Sequence, residues 1–196
     1  MWWRRRKLFL ETDRLFLRAP KHHDFREWVA LRRENQDFLR NWDPVWAGDH
    51  LSRSNFTNRV YWAQRAIHAG TAAPLFIFSK ADNVMVGALT LDNIRRGPAQ
   101  VGTLGYWMGE RFTRQGYMQE AVTELVNYAF ETMDLSRVEA ACLPENEPSR
   151  GLLESAGFKY EGVAQSYLQI AGRWRTHVLY AQLRYDRRGK TDAGVT

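Results

Sequence analysis

Two segments carry residue types and spacings that could do chemistry. The first is GYWMGERFTRQGYMQEA, residues 105–121. Gly116 stands where a strand gives way to a helix whose apolar residues Met118, Ala121, Val122, Leu125, Ala129, Phe130 and Met133 recur at three and four. That periodicity predicts one core-facing stripe. Such a junction leaves backbone N–H groups free at the positive end of the helix. It can therefore hold an anion such as a phosphate, and Arg111 and Arg114 add charge. Alone, the pattern also describes an ordinary helix start. It is neither a Walker loop, because no Gly-Lys-Ser/Thr follows, nor a dinucleotide fingerprint, because G-x-G-x-x-G is missing. The second segment is PENEPSRGLLESAGF, residues 144–158. Asn146 follows a strand and precedes a short helix, and Ser149 lies at that helix's start. Both can bond exposed backbone groups, and both also read as capping and turn residues.

The elements that must position these segments follow from period and punctuation. Residues 14–19 alternate as a strand, ended by Pro20. Residues 22–34 and 50–69 read as helices, with Gly70 as a stop, and residues 38–46 as an aromatic loop broken by Pro44. Residues 75–79, 85–94 and 101–108 read as strands. A helix over 118–133, a strand over 137–143, a short helix over 148–156 and strands over 160–168 and 176–183 complete the chain. The order β α α β β β α β α β β predicts a mixed α/β sheet. Its strands at 101–108 and 137–143 are parallel across a helical crossover, and the rest is antiparallel.

Together the two segments resemble the GNAT N-acetyltransferase family. Thr113-Arg114-Gln115-Gly116-Tyr117-Met118 is similar to its pyrophosphate loop, Q/R-x-x-G-x-G/A. Asn146-x-x-Ser149 with Leu152-Leu153-x-x-x-Gly157-Phe158 is similar to its second coenzyme A element. The opening Thr12-Asp13-Arg14-Leu15-x-Leu17-Arg18, the run FLRNWDPVW and the tail from Glu161 to Leu179 resemble its ribosomal-protein-alanine (RimJ-like) branch. The resemblance spans about residues 10–185. It implies a GNAT fold of about seven mostly antiparallel strands around a β-α-β coenzyme A core. It also implies acetyl-CoA as co-substrate, no metal, and direct attack by an amine on the acetyl thioester. Thr113 and Met118 depart from the loop pattern. Leu153 stands where many members carry a tyrosine that protonates the leaving thiolate.

That departure leaves Ser149 as a candidate general acid, with simple coenzyme A binding as its competing role. The resemblance places backbone N–H groups near Trp107 and Met108 against the developing oxyanion. Glu139 is a candidate distant base or merely a sheet-edge charge. An α-amino group, with a pKa of roughly 7.7–8.0 against about 10.4 for lysine, needs little help to lose its proton. The resemblance puts the 38–46 loop and the last hairpin beside the acceptor, making Trp42, Trp46, Tyr167 and Trp174 its candidate walls. Core packing is the alternative for each.

The 196 residues are 44% hydrophobic and 26% charged, a globular composition for one domain. The net charge of +6 sits in the ends: residues 8–186 hold 21 basic and 21 acidic residues. The expected division is a basic tail over 1–9, a catalytic domain over 10–185 and a basic tail over 186–196. The tails are solubilising, or make weak contact with RNA or a ribosome. One cysteine, Cys142, excludes an internal disulfide, and the histidines lack metal-ligand spacing. No signal peptide or membrane span is expected, which points to the cytoplasm and to a monomer or homodimer. The expected activity is acetylation of a protein's N-terminal alanine, as on a ribosomal protein. A small amine or a lysine is the alternative acceptor. A ribosome-associated coenzyme A binder with little activity is the alternative of another class.

Overall fold

The computed structural model describes residues 8–185. The basic segments 1–7 and 186–196, and the RNA contact expected of them, lie outside the described residues. Eight strands form one sheet: β1 (Phe9–Glu11), β2 (Leu15–Arg18), β3 (Ala73–Ser79), β4 (Met85–Arg95), β5 (Val101–Met108), β6 (Arg137–Cys142), β7 (Lys159–Ile170) and β8 (Arg173–Leu183). Their spatial order is β1-β2-β3-β4-β5-β6-β8-β7. Among the described residues, only β5 and β6 pair in parallel. The helices are α1 (Phe25–Glu34), α2 (Gln36–Arg40), α3 (Arg53–Ala69), α4 (Tyr117–Glu131) and α5 (Glu147–Ser155).

The described sheet has eight strands, in keeping with the mostly antiparallel sheet of about seven expected. β1 begins inside the segment expected to be a tail: Leu8 and Leu10 are buried, and Phe9 pairs with Arg18. Its three residues are too few to show a period. The aromatic run 38–46 also differs from a plain loop, because Phe38 and Leu39 belong to α2.

Core position follows from alternation. On β3, Leu75 and Ile77 join the α4 side with Val122, Leu125 and Leu153, while Phe76 and Phe78 join Trp28, Phe56 and Val60 of α1 and α3. The sheet is thus covered on both faces, and every residue of β3 is buried. Each fully buried Leu or Phe contributes about 1.5–3 kcal/mol. Ser52 caps α3 by accepting from the Asn55 amide at 3.1 Å, and Gly70 ends it in a left-handed turn (φ 68°).

The feature that makes a site is a split in the sheet. β5 and β6 pair only from Val101–Arg137 to Leu104–Ala140. Beyond that point β5 stays with β4 through Met108, and β6 stays with β8 through Cys142. The β6-facing edge of residues 105–108 is left without a strand partner, an edge that an extended chain can complete.

Candidate active site

The split opens into a cleft of about 1270 Å³. Tyr106, Trp107 and Met108 line one side, and Ala141, Cys142 and Leu143 the other. The α4 start enters at one end through Thr113, Arg114, Gly116, Tyr117 and Met118, and α5 adds Asn146 and Ser149. Phe38, Trp42, Arg59 and Trp62 enter from the opposite face of the sheet, with Leu168, Ile170 and His177 from the last hairpin.

The α4 start is built without a side-chain cap. Arg114 (φ 59°) and Gly116 (φ 78°) both adopt left-handed backbone, which curls the loop under the helix. The first helical bond runs from the Glu120 amide to the Gly116 carbonyl at 3.0 Å. The amides of Tyr117, Met118 and Gln119 precede it and have no intrahelical acceptor. A phosphate suits this place. Met118 is buried against the core and also lines the cleft. The Thr113 hydroxyl donates to the Glu110 carbonyl at 2.7 Å. Gln115 is not on the cleft wall: its amide donates to the Arg111 carbonyl at 2.8 Å.

Arg14 ties this loop to β2. Its NH1 donates to the Gln115 carbonyl at 2.9 Å, and its Nε to Glu120 Oε2 at 2.7 Å. Glu120 also accepts from the Arg14 amide at 3.0 Å and from the Thr12 hydroxyl. Partial burial raises the Glu120 pKa, but these bonds outweigh it and hold the carboxyl below its ordinary value.

Around α5, Asn146 Oδ1 accepts from the Ser149 amide at 3.2 Å, so it caps the helix. The Ser149 hydroxyl lies 2.7 Å from the Tyr106 hydroxyl. Burial pushes the Tyr106 phenol well above its ordinary value, against the opposing effect of the Ser149 bond. Burial also raises the Cys142 thiol, which disfavours its thiolate. Tyr106 was not singled out in the sequence because its only signal is its place in an alternating strand. Leu153 is wholly buried and offers no proton.

The remaining candidates divide. Trp42 lines the cleft. Trp46 does not: it stacks on His50 and lines a neighbouring cavity. Tyr167 packs edge-on against His177 outside the cleft wall, and Trp174 is 62% exposed on the hairpin. Glu139 is drawn away from the cleft, held by Arg137 at 2.8 Å and Arg95 at 3.7 Å. Its face was read correctly, but it sits one pair before the strands part. His177 is buried on the cleft wall, with Nδ1 3.0 Å from the Arg175 carbonyl. A carbonyl only accepts, so Nδ1 carries a proton in this contact and Nε2 is the ring nitrogen left for another partner.

Residues 14–159 match the family model described as "Acetyltransferase (GNAT) domain". The chain belongs to the GNAT acetyltransferase family. Members use acetyl-CoA, and the split strands with the α4 start fit that molecule. This GNAT enzyme is 33% identical over 175 residues to the [Ribosomal protein uS5]-alanine N-acetyltransferase of Escherichia coli (strain K12), covering 89% of this chain and 90% of that protein. Its structure is similar to the ribosomal-protein-S5-alanine acetyltransferase of Vibrio fischeri, with a TM-score of 0.86, 25% identity and coverage of 93% of this chain and all of that one. It is also similar to Mycobacterium smegmatis RimJ in complex with CoA-disulfide, with a TM-score of 0.82, 28% identity and coverage of 89% and 84%. Among the described residues, no helix is long and apolar enough to cross a membrane, and no group of three His, Cys, Asp or Glu residues could hold a metal.

Proposed function

We propose that this acetyltransferase acts on the α-amino group of a protein N-terminus that begins with alanine, as on a ribosomal protein. The observation that carries this reading is the passage of the cleft through the sheet. Its α4–α5 end offers free amides and small polar groups, and its opposite end offers the aromatic wall of Phe38 and Trp42 with Leu168 and Ile170. A chain terminus entering from the aromatic side meets the thioester without either reactant leaving its own face. Bulky walls favour a small first side chain. The likeness to two alanine-specific enzymes supports the same acceptor.

Within this reading the N-terminal amides of α4, with Thr113, Arg114 and Gly116, hold the pyrophosphate. The open edge of Tyr106–Met108 pairs with the pantetheine amides, and the Trp107 and Met108 backbone stabilises charge developing on the acetyl oxygen. Acetyl-CoA supplies the acetyl thioester. His177 Nε2 accepts the proton that the ammonium must lose before attack. Ser149 donates to the departing sulfur, its hydroxyl oriented by Tyr106. The test is turnover of a lysine-free alanine peptide against an N-terminally blocked peptide with an internal lysine. Acetylation of the first alone supports the reading, and acetylation of the second alone overturns it.

A further inference from the structure

A second cavity, of about 290 Å³, lies beside the cleft and is walled by Trp28, Trp46, Trp107, Arg32, Arg59 and His50. Asp43, Arg59 and Trp107 line both spaces, so the two share a wall next to Trp42. Its charge is unbalanced. Arg32 is only 5% exposed and lies between the rings of Trp46 and Trp107, 4.2 and 4.6 Å from their centres. It donates to Asp43 at 2.6 Å, yet its Nε has no partner. Asp43 also accepts from the Trp46 indole at 3.0 Å. Arg59 reaches the ring of Trp28, its Nε is buried without a partner, and it forms no ion pair among the described residues. His50 Nε2 is likewise buried and unpartnered.

Arg32 thus takes the one carboxylate of the cavity, Arg59 has no ion pair among the described residues, and the Nε–H of each is buried without a partner. Burying an unpaired cation is costly, and so is burying an unmade hydrogen bond. Burial lowers the pKa of both arginines, and the charge of Arg32 lowers that of Arg59 further. Burial and the two arginines also lower that of His50, which keeps its ring neutral. One monoanion would neutralise the surplus. A phosphate dianion would leave a net negative charge beside Asp43, and the planar fork of arginine matches a carboxylate.

We infer that this cavity receives one carboxylate of the acceptor, an acidic side chain close to the amine being acetylated, held between Arg32 and Arg59. This makes the enzyme selective for acidic N-terminal sequences, and it rests on the acceptor being a peptide. Tryptophans 28, 46 and 107 give an activity-free readout. Their fluorescence should respond saturably to Nα-acetylglutamic acid amide and not to Nα-acetylglutamine amide. Arg59→Gln should abolish the response and Arg59→Lys keep part of it, with circular dichroism confirming the fold of each. In turnover, an alanine-first peptide with glutamate at positions two to four should exceed its glutamine counterpart by roughly tenfold in kcat/KM, the size of one charge-assisted pair. In Arg59→Gln that ratio should collapse towards one. Probe binding with no acetylation of either peptide would uphold the cavity and remove the N-terminal reading. Equal rates on both peptides, or no difference between the two probes, would overturn the cavity's role.

Discussion

The Tyr106 hydroxyl lies 2.7 Å from Ser149 Oγ, joining the strand edge of the cleft to the start of α5. With Leu153 apolar and fully buried, this pair sets two hydroxyl protons on the cleft wall, where the proposed function places the departing thiolate. Ser149→Ala should lower kcat by about 10²-fold, the lower range for a lost general acid, with a smaller change in KM for acetyl-CoA. Tyr106→Phe should lower kcat by about fivefold, the worth of one orienting hydrogen bond. The double variant should fall no further than Ser149→Ala alone. Additive losses would show that the two hydroxyls act separately.

Glu120 should stabilise the loop in a pH-dependent way. Its folded-state pKa is depressed, so its contribution is present above the unfolded value of about 4.3 and is lost as pH falls through the folded one. Glu120→Gln should lower stability by about 1 kcal/mol at pH 7. The gap to the parent should close in acid, as read by denaturant titration at several pH values. Because Glu120 and Arg14 hold the loop through Gln115, KM for acetyl-CoA should rise as well. A deficit that stays constant into acid would contradict this assignment.

Two glycines beside the cleft should respond differently to alanine. A Cβ at Gly87 would fall on the Trp107 carbonyl oxygen and lie 3.0 Å from Met108 Cα, both backbone atoms of the cleft edge. Gly87→Ala should cost about 1–3 kcal/mol, read by thermal melting. A Cβ at Gly105 would meet nothing within 4 Å, so Gly105→Ala should melt with the parent.

Trp42 and Trp174 test which aromatic residues face the acceptor. Trp42→Ala should raise KM for an alanine peptide about tenfold or more, the effect of removing one buried aromatic contact. Trp174→Ala, on the exposed hairpin, should leave it within about twofold. The reverse pattern would move the acceptor to the hairpin tip.

Legibility in the sequence followed the strength of local patterns. α4 was readable because six of its apolar residues, from Met118 to Phe130, repeat at helical spacing, and the Gly116 junction because glycine marks the left-handed turn. Asn146 and Ser149 were readable from their place before a proline-started helix. β1 was not, since three residues show no period. Tyr106 was hidden because its role depends on a contact with a residue 43 positions away. Glu139 sits before the strands part, because alternation gives the face of a strand but not the point where its neighbour departs. Trp46, Tyr167 and Trp174 lie off the cleft wall, because aromatic residues mark a region of the chain while backbone geometry decides which ring lines the cleft. The Arg32–Arg59 cavity joins α1 and α3 with the 43–50 segment, and no spacing in the chain announces it.

The most direct measurement is acetyl-CoA turnover, followed by free-thiol release and by mass spectrometry of the product, on the alanine-first peptide and the blocked lysine peptide. The account predicts a single acetyl group on the alanine α-nitrogen and none on the lysine. Acetylation of the lysine alone, or of neither peptide while acetyl-CoA still binds, would contradict it.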